Sequence, residues 1–243
     1  MLITVVNPNT TESMTALIGK AAAAVASAGT TVRAVTPAMG PASIESHYDE
    51  ALAVPGLLAE IAAGEAAGSD GYVIACFGDP GLEAARELAR GPVVGIAEAA
   101  MRTAAYLGRG FSVVTTLGRT VGRVGDLAEH YGVARFCRGV HACEIPVLEL
   151  ETDPAARDLV TEECRRAVAQ DGSDAVVLGC AGMADLCAHV AAEIGVPVVD
   201  GVAAATRAVE SLVALGLCTG DRGEFARPPA KPYTGVLAGF QIG

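Results

Sequence analysis

The sequence has few positive charges and very little lysine. It carries 17 lysine and arginine residues against 28 aspartate and glutamate residues, a formal net charge of −11. Such an acidic surface repels a phosphate backbone, so a nucleic-acid partner is not expected. The only lysines are Lys20 and Lys231, and neither follows a predicted strand, so a Schiff base with pyridoxal phosphate is not predicted. The glycine-rich stretch 118–125 matches neither the dinucleotide nor the P-loop fingerprint.

Long apolar runs are also missing. No stretch approaches the ~18–20 residues of a membrane-spanning helix, and the first residues lack the basic region of a signal peptide. The seven cysteines are an odd number without a Cys-x-x-Cys spacing, which favours reduced thiols in the cytoplasm over a disulfide framework. Cys137, His141 and Cys143 lie close together, but no second pair completes four ligands, so no metal is predicted. We expect a cytoplasmic protein that does not associate with membranes.

Short valine- and isoleucine-rich runs alternate with alanine-rich stretches along the chain. The runs predict strands and the stretches predict helices. Strands that are apolar on both faces and separated by helices are typical of a parallel, doubly wound sheet, although eight such units also suit a closed barrel. The predicted strands are 2–6, 31–35, 71–75, 93–95, 111–115, 136–140, 175–179 and 197–200. The predicted helices are 11–27, 48–67, 80–88, 96–107, 119–131, 154–170, 183–194 and 202–215.

An internal repeat favours two lobes over one barrel. Residues 68–78 align without gaps on residues 172–182, and residues 91–94 match residues 196–199. This predicts an α/β fold of two pseudo-symmetric, doubly wound lobes, each with a four-stranded, mainly parallel sheet, and with the active site in the cleft between them. We assign residues 1–100 to the first lobe and 101–215 to the second. The tail 216–243, with its proline-rich segment 227–232, is expected to pack back on the first lobe.

One cysteine stands at the end of a predicted strand in each half of the repeat. Cys76 and Cys180 align with each other, and each precedes a predicted helix, with Asp79 as N-cap and Pro80 as first helical residue after Cys76. A thiol at a helix N-terminus faces unpaired amides and the positive end of the helix dipole, which lower its pKa. A single strand-end cysteine is more often just a small buried hydrophobe. Two at equivalent places suit a base and an acid on opposite faces of one carbon.

Longer strings around these cysteines resemble the aspartate/glutamate/hydantoin racemase superfamily, and most closely its hydantoin racemase branch. The resemblance runs nearly end to end and is carried by residues 7–10, 40–45, 75–81, 113–116 and 178–183. It implies racemisation without metal or cofactor by two cysteines, and hence catalytic roles for Cys76 and Cys180.

Departures from the amino-acid racemases of that superfamily narrow the expected substrate. Those enzymes place Asn-Thr after the first cysteine and Thr after the second, where this chain has Phe77-Gly78 and Ala181-Gly182. The polar groups that would hold a free amino acid are absent at these positions, and a neutral, flat ring with an apolar substituent fits better. The related arylmalonate decarboxylases use one cysteine, so the pair favours racemisation. Backbone amides around these positions, together with Gly179, are expected to line the site and stabilise an enolate oxygen.

The other expected substrate contacts lie on loops at strand ends. Asn9 can hydrogen-bond an imide group, and Thr115 and Thr116 occupy the matching place in the second lobe. Each also suits helix capping, so both interpretations stay open for these residues. Ser43 and Ile44 lie in a Gly/Pro-containing loop that is either a substrate-contacting edge or a plain surface loop. His47 is near enough to reach the cleft, although a loop histidine is more often simply solvated.

The function expected from the sequence is racemisation of 5-monosubstituted hydantoins through removal and return of the C5 proton. The alternatives are an allantoin racemase, an aspartate/glutamate-type racemase, a single-thiol decarboxylase or hydrolase, and a non-catalytic binding protein. We expect a small-molecule substrate and a homo-oligomer.

Overall fold

Two separate four-stranded sheets form the framework of the computed structural model, which describes residues 1–242. The strands are β1 (Leu2–Val6), β2 (Thr31–Val35), β3 (Gly71–Ile74), β4 (Val93–Gly95), β5 (Phe111–Thr115), β6 (Cys137–Ala142), β7 (Ala175–Leu178) and β8 (Val198–Asp200). The sheet orders are β2-β1-β3-β4 and β6-β5-β7-β8, and every pairing is parallel. The predicted α/β fold with two equivalent sheets is confirmed, and the barrel is excluded.

Helices connect successive strands in both halves. They are α1 (Glu12–Val25), α2 (His47–Ala66), α3 (Leu82–Leu88), α4 (Ile96–Ala104), α5 (Val121–His130), α6 (Ala156–Asp171), α7 (Cys187–Ile194) and α8 (Gly201–Ala214). All eight predicted strands begin and end within two residues of the structure. The largest helix difference precedes α7, where Ala181–Leu186 forms a 3-10 helix in place of the first predicted α-helical residues. Within residues 1–242, no helix has the length and apolar character needed to cross a membrane.

Two helices cross between the sheets and join the halves into one core. Helix α4 leaves β4 of the first sheet and also packs against β7 and β8 of the second. Helix α8 leaves β8 and packs against α4, β3 and β4. The backbones approach closely, since a Cβ on Gly201 would lie 2.7 Å from the Ile96 carbonyl oxygen. Met101, Val177 and Val202 accordingly belong to one continuous hydrophobic cluster.

The lobe boundaries at residues 100 and 215 stay a prediction, because α4 and α8 are each shared between the two sheets. The tail contacts the first sheet's side at two points. Gly223–Phe225 lies against α3, and the Thr219 hydroxyl donates to the Gly91 carbonyl at 3.2 Å. Farther along, the side chains are mostly exposed, and Val236 is 97% exposed.

A buried carboxylate fastens α8 to the loop after α1. Glu210, only 5% exposed, accepts hydrogen bonds from the Ser27 amide at 2.8 Å and from the Thr30 hydroxyl at 2.6 Å, and it pairs with Arg207 at 2.8 Å. Burial raises the pKa of Glu210, but these donors outweigh it and lower the pKa to about 2. The carboxylate form is therefore the one that the fold stabilises.

Replacement of this carboxylate tests how much the attachment of α8 contributes to stability. We expect Glu210→Gln to lower the free energy of unfolding by about 1–3 kcal/mol at pH 7, because charged hydrogen bonds are lost from a buried site. Since the folded pKa lies below the unfolded value, the difference from wild type is complete above the unfolded pKa. It shrinks as the pH falls toward about 2. Urea unfolding at several pH values measures it, with Glu129→Gln, at an exposed position, as control. An equal loss in both variants would contradict this role.

Candidate active site

The carboxyl ends of two inner strands bring Cys76 and Cys180 to one cavity. Each residue follows an inner strand, Cys76 after β3 and Cys180 after β7. Both line a cavity of about 160 Å³ between the two sheets. The structure thus brings together two residues that are about a hundred positions apart in the chain. Eight further predicted residues line the same cavity: Asn9, Ile44, Phe77, Gly78, Thr115, Thr116, Gly179 and Ala181.

Two predicted residues do not line the cavity. Ser43 is half-buried in the loop before α2, outside the cavity wall. Gly182 is buried beside Cys180, where a Cβ would lie 3.6 Å from the cysteine sulfur and 3.1 Å from Leu150 Cδ1. The Gly182 amide hydrogen-bonds the Cys180 sulfur, so this glycine contacts the thiol while lying outside the wall. His47 does line the cavity, with its side chain 81% exposed.

Both thiols have raised pKa values, which corrects the expectation that helix N-termini would lower them. Burial raises the pKa of Cys76 to about 12, opposed by a hydrogen bond from the Gly78 amide. Burial also raises the pKa of Cys180 to about 12, opposed by the Gly182 amide. Neither cysteine directly precedes a regular α-helix, because a turn follows Cys76 and a 3-10 helix follows Cys180. One amide per sulfur is too little to offset the loss of water around a thiolate.

Neighbouring negative charges act in the same direction. The Cys180 thiol, Glu50 and Asp79 raise the pKa of Cys76 further, after burial. Cys143 and Glu45 do so for Cys180. The electrostatic interaction between the two catalytic candidates means that the ionisation of one opposes the ionisation of the other. Such a pair favours the state with one thiol and one thiolate over the doubly ionised state.

Asp79 caps a different helix from the one predicted. Helix α3 begins at Leu82 after Gly81, which has φ +68°, so neither Asp79 nor Pro80 starts it. Asp79 itself has φ +45°, and its carboxylate accepts from the amides of Ala97 at 3.1 Å and Glu98 at 2.9 Å, at the start of α4. The Tyr131 hydroxyl donates to it at 2.7 Å. Burial raises the pKa of Asp79 to about 6 despite these donors.

The Asp79 contacts fix the loop that carries Cys76. A Cβ at Gly95 would lie 2.2 Å from Asp79 Cγ, so the glycine makes room for the carboxylate at the start of α4. The Asp79 amide donates to the Cys76 carbonyl at 2.9 Å and closes a tight turn. The loop is therefore held to α4 and, through Tyr131, to the end of α5.

The Asn9 side chain lies in the cavity wall just before α1, whose N-cap residue is Thr11. Its Oδ1 accepts from the Asn7 side chain at 2.8 Å and from the Thr11 amide at 2.9 Å, just before α1. Its Nδ2 contacts the Met14 sulfur at 3.1 Å, and both Asn9 and Met14 line the cavity. Sulfur is a weak acceptor, so the amide nitrogen keeps donor capacity on the cavity side.

The two threonines after β5 differ in their contacts. Thr115 Oγ1 bonds the Thr120 hydroxyl at 3.0 Å and the Gly179 carbonyl at 3.4 Å, which ties the ends of β5 and β7 together. A Cβ at Gly179 would lie 3.1 Å from Thr115 Cα and Cβ, so a side chain there would press on the end of β5. Thr116 contributes its carbonyl oxygen to Ile145 at 3.1 Å and is buried in the cavity wall.

Sequence reasoning missed four charged side chains that line the cavity: Glu45, Glu50, Arg119 and Arg123. Glu45 Oε1 accepts from the Val147 amide at 2.8 Å, and Val147 lines the cavity too. Arg123 Nη2 donates to the Gly78 carbonyl at 2.9 Å, and Arg123 Nε lies 3.4 Å from Glu50 Oε2. Glu45 lies in residues 40–45, one of the stretches that carry the family resemblance. Glu50 and Arg123 sit on helices and reach the site only through tertiary contacts. Among residues 1–242, no three metal-ligating side chains are grouped to hold an ion.

Comparisons with known proteins agree with the family suggested by the residues. The family model "Asp/Glu/Hydantoin racemase" matches residues 3–209. A hydantoin racemase from Rhizobium meliloti is 50% identical over 97% of this chain and 98% of its own length. A hydantoin racemase from Pseudomonas sp. (strain NS671) is 46% identical over 99% and 97% of the two chains. The solved structure of an allantoin racemase from Klebsiella pneumoniae has a TM-score of 0.97 and 51% identity, covering 99% of both chains. The chain therefore belongs to the Asp/Glu/hydantoin racemase family, and its class of activity is that of a racemase.

Proposed function

We propose that the protein interconverts the enantiomers of 5-monosubstituted hydantoins without a cofactor, with Cys76 and Cys180 as the two acid–base groups. The observation that carries this proposal is the position of two equivalent strand-end thiols on one small cavity. Each sulfur accepts one backbone amide, from Gly78 and Gly182 respectively. The hydantoin racemases from Rhizobium meliloti and Pseudomonas sp. support the substrate class.

The proposed reaction moves one proton off C5 and another onto it. One cysteine, as thiolate, removes the C5 proton, and the electron pair of the C–H bond delocalises onto the C4 carbonyl as an enolate. The other cysteine, as thiol, delivers its proton to the opposite face of C5 and becomes the thiolate. The reverse direction uses the same groups with their roles exchanged. The backbone amides around Phe77, Gly78 and Ala181 supply donors for the enolate oxygen.

The raised thiol pKa values fit a ring substrate. A thiolate with a pKa of about 12 is a strong base, although it is scarce at neutral pH. The C5 proton of a hydantoin lies next to an imide carbonyl and is more acidic than the α-proton of a zwitterionic amino acid. A buried thiol pair can therefore serve the ring without the polar groups that a free amino acid requires.

An allantoin racemase is the second candidate. Allantoin is a hydantoin with a ureido substituent at C5, so the ring chemistry is unchanged. The solved allantoin racemase from Klebsiella pneumoniae favours it. The cavity offers both kinds of wall for the substituent, the apolar Met14 and Val124 and the charged Glu45 and Arg119. We place hydantoins with apolar substituents first, because Phe77 follows the first cysteine.

A cytoplasmic homo-oligomer completes the proposal. All seven cysteines are free in the described part of the chain, which supports a reducing compartment. Contact between copies would cover large apolar side chains such as Tyr106 and Leu215, which are 87% and 72% exposed.

A substrate panel tests the proposed function. We expect C5–H exchange in D₂O and loss of optical rotation with both enantiomers of 5-benzylhydantoin, in the presence of EDTA, because the reaction uses only thiols and amides. Both allantoin enantiomers, aspartate and glutamate complete the panel, and enzyme-free samples correct for spontaneous exchange. Activity confined to allantoin would select the second candidate. Activity confined to free amino acids, or abolished by EDTA and restored by zinc, would contradict both.

We expect each of the two thiols to remove the C5 proton from a different enantiomer. Cys76→Ser and Cys180→Ser should each lower racemisation by about 10²–10⁴-fold, because serine is a far weaker base of similar shape. Each variant should keep C5–H exchange with one enantiomer, since the remaining thiol can remove a proton and return a solvent-derived deuteron to the same face. The retained enantiomer should differ between the two variants. Cys218→Ser, at an exposed position, is the control. Retention of the same enantiomer in both variants would refute the assignment.

The pH dependence follows from the raised thiol pKa values. In the free enzyme one thiol must be ionised and the other protonated. With both pKa values near 12, the reactive fraction grows about tenfold for each pH unit through the neutral range. We therefore expect kcat/KM for 5-benzylhydantoin to rise steadily from pH 6 to pH 9, after correction for ionisation of the ring. A plateau that begins below pH 8 would show that a thiol titrates there.

A further inference from the structure

An arginine from the second half of the chain holds the loop that carries Cys76. Arg123 lies on α5, and its Nη2 donates to the Gly78 carbonyl at 2.9 Å. Its Nε lies 3.4 Å from Glu50 Oε2, and Glu50 belongs to α2. The guanidinium therefore spans the cleft and joins two elements of the first half. Arg123 Nε is buried and has no hydrogen-bond partner within residues 1–242, so the ion pair is what fixes that end.

The carbonyl that Arg123 binds belongs to the residue whose amide contacts the catalytic sulfur. The Gly78 amide hydrogen-bonds Cys76, and the next amide, of Asp79, donates to the Cys76 carbonyl at 2.9 Å. The peptide unit between Gly78 and Asp79 is thus held at its N–H by the turn and at its carbonyl by Arg123. Glu50 closes the remaining side, since a Cβ at Gly78 would lie 2.3 Å from Glu50 Oε1.

In the described residues, no side chain holds the loop after Cys180 as Arg123 holds the loop after Cys76. Gly182 supplies an amide to Cys180, but within the described residues no side chain donates to the Gly182 carbonyl. The cross-cleft contact on that side runs from the Val147 amide to Glu45 and does not engage the loop after Cys180. The two halves of the site are therefore equivalent in their thiols and unequal in what holds them.

We propose that Arg123 is a positioning residue for Cys76 alone. By holding the Gly78 carbonyl across the cleft, it keeps the Gly78 amide on the Cys76 sulfur and so supports proton transfer at one face of C5. The proposal rests on the proposed function, because it assigns Arg123 to one of the two acid–base groups.

Wild-type kinetics cannot reveal an effect on one thiol. The two enantiomers have equal free energies, so kcat/KM is the same in both directions whichever residue is changed. The effect becomes visible where only one cysteine remains. We therefore compare Arg123→Gln in the Cys180→Ser background, where Cys76 acts, with Arg123→Gln in the Cys76→Ser background, where Cys180 acts. The readout is C5–H exchange of the enantiomer that each background still processes.

Two further variants separate positioning from a general loss of stability. Arg123→Lys keeps a positive charge beside Glu50 and a donor for the Gly78 carbonyl. Arg86→Gln removes an arginine that also pairs with a carboxylate, Glu98 at 2.6 Å, and with a carbonyl, Val93 at 3.2 Å, but lies outside the cavity. Thermal unfolding of all variants shows whether each one is folded at the assay temperature.

The proposal expects Arg123→Gln to slow exchange about tenfold or more where Cys76 is the base, the effect of losing one charged hydrogen bond. Exchange by Cys180 should stay within about threefold, Arg123→Lys should recover part of the loss, and Arg86→Gln should affect both backgrounds equally. Equal losses in both backgrounds, or none, would overturn the role of Arg123 while leaving the two-thiol reaction intact. If Cys76→Ser and Cys180→Ser do not retain C5–H exchange with different enantiomers, the proposed function fails and the role of Arg123 fails with it.

Discussion

The packing of α4 against α8 is the constraint on which the site depends. The two cysteines come from different sheets, so their separation is only as fixed as the contact between those sheets. Each of the two helices follows a strand of one sheet and packs on the other, and the Gly201 backbone lies against Ile96 with no room for a side chain. The resulting continuous core resists a change in the angle between the sheets, because close-packed interiors deform little. A cavity of about 160 Å³ with a thiol in each half is the consequence.

Burial makes each thiolate in this cavity a stronger base, and it also makes each thiolate harder to form. Enclosing Cys76 and Cys180 raises the pKa of each thiol, which makes the rare thiolate a stronger base. One backbone amide per sulfur limits the penalty, and the mutual repulsion of the two sulfurs disfavours double ionisation. The site therefore favours one acid and one base. A symmetric reaction that exchanges these two states at each turnover needs no third group to reset it.

Local patterns predicted the framework well. The valine- and isoleucine-rich runs placed all eight strands, because a strand buried on both faces is apolar at every position. The repeat put Cys76 and Cys180 at equivalent strand ends, and the structure brings both to one cavity, since equivalent positions in two similar lobes end at equivalent sheet edges. The features that sequence reasoning missed are contacts between residues far apart in the chain. Asp79 caps α4, whose first amides are 18 residues away, and the nearer helix begins without it. The Arg123 contact with Gly78 spans 45 residues, and no sequence motif marks it. The direction of the thiol pKa shifts depended on enclosure by both lobes, which a helix-dipole argument does not contain.

The most direct test of the central claim, that the two thiols act on opposite faces of C5, is the early time course of deuterium uptake by the wild-type enzyme. Racemisation of one enantiomer of 5-benzylhydantoin in D₂O is followed by chiral separation and mass spectrometry before a tenth of the substrate has reacted. Two thiols on opposite faces predict that the product enantiomer carries deuterium at C5 while the unreacted enantiomer carries none beyond the enzyme-free background. Deuterium that enters the unreacted enantiomer as fast as product forms would show that one group serves both faces, and would contradict the account.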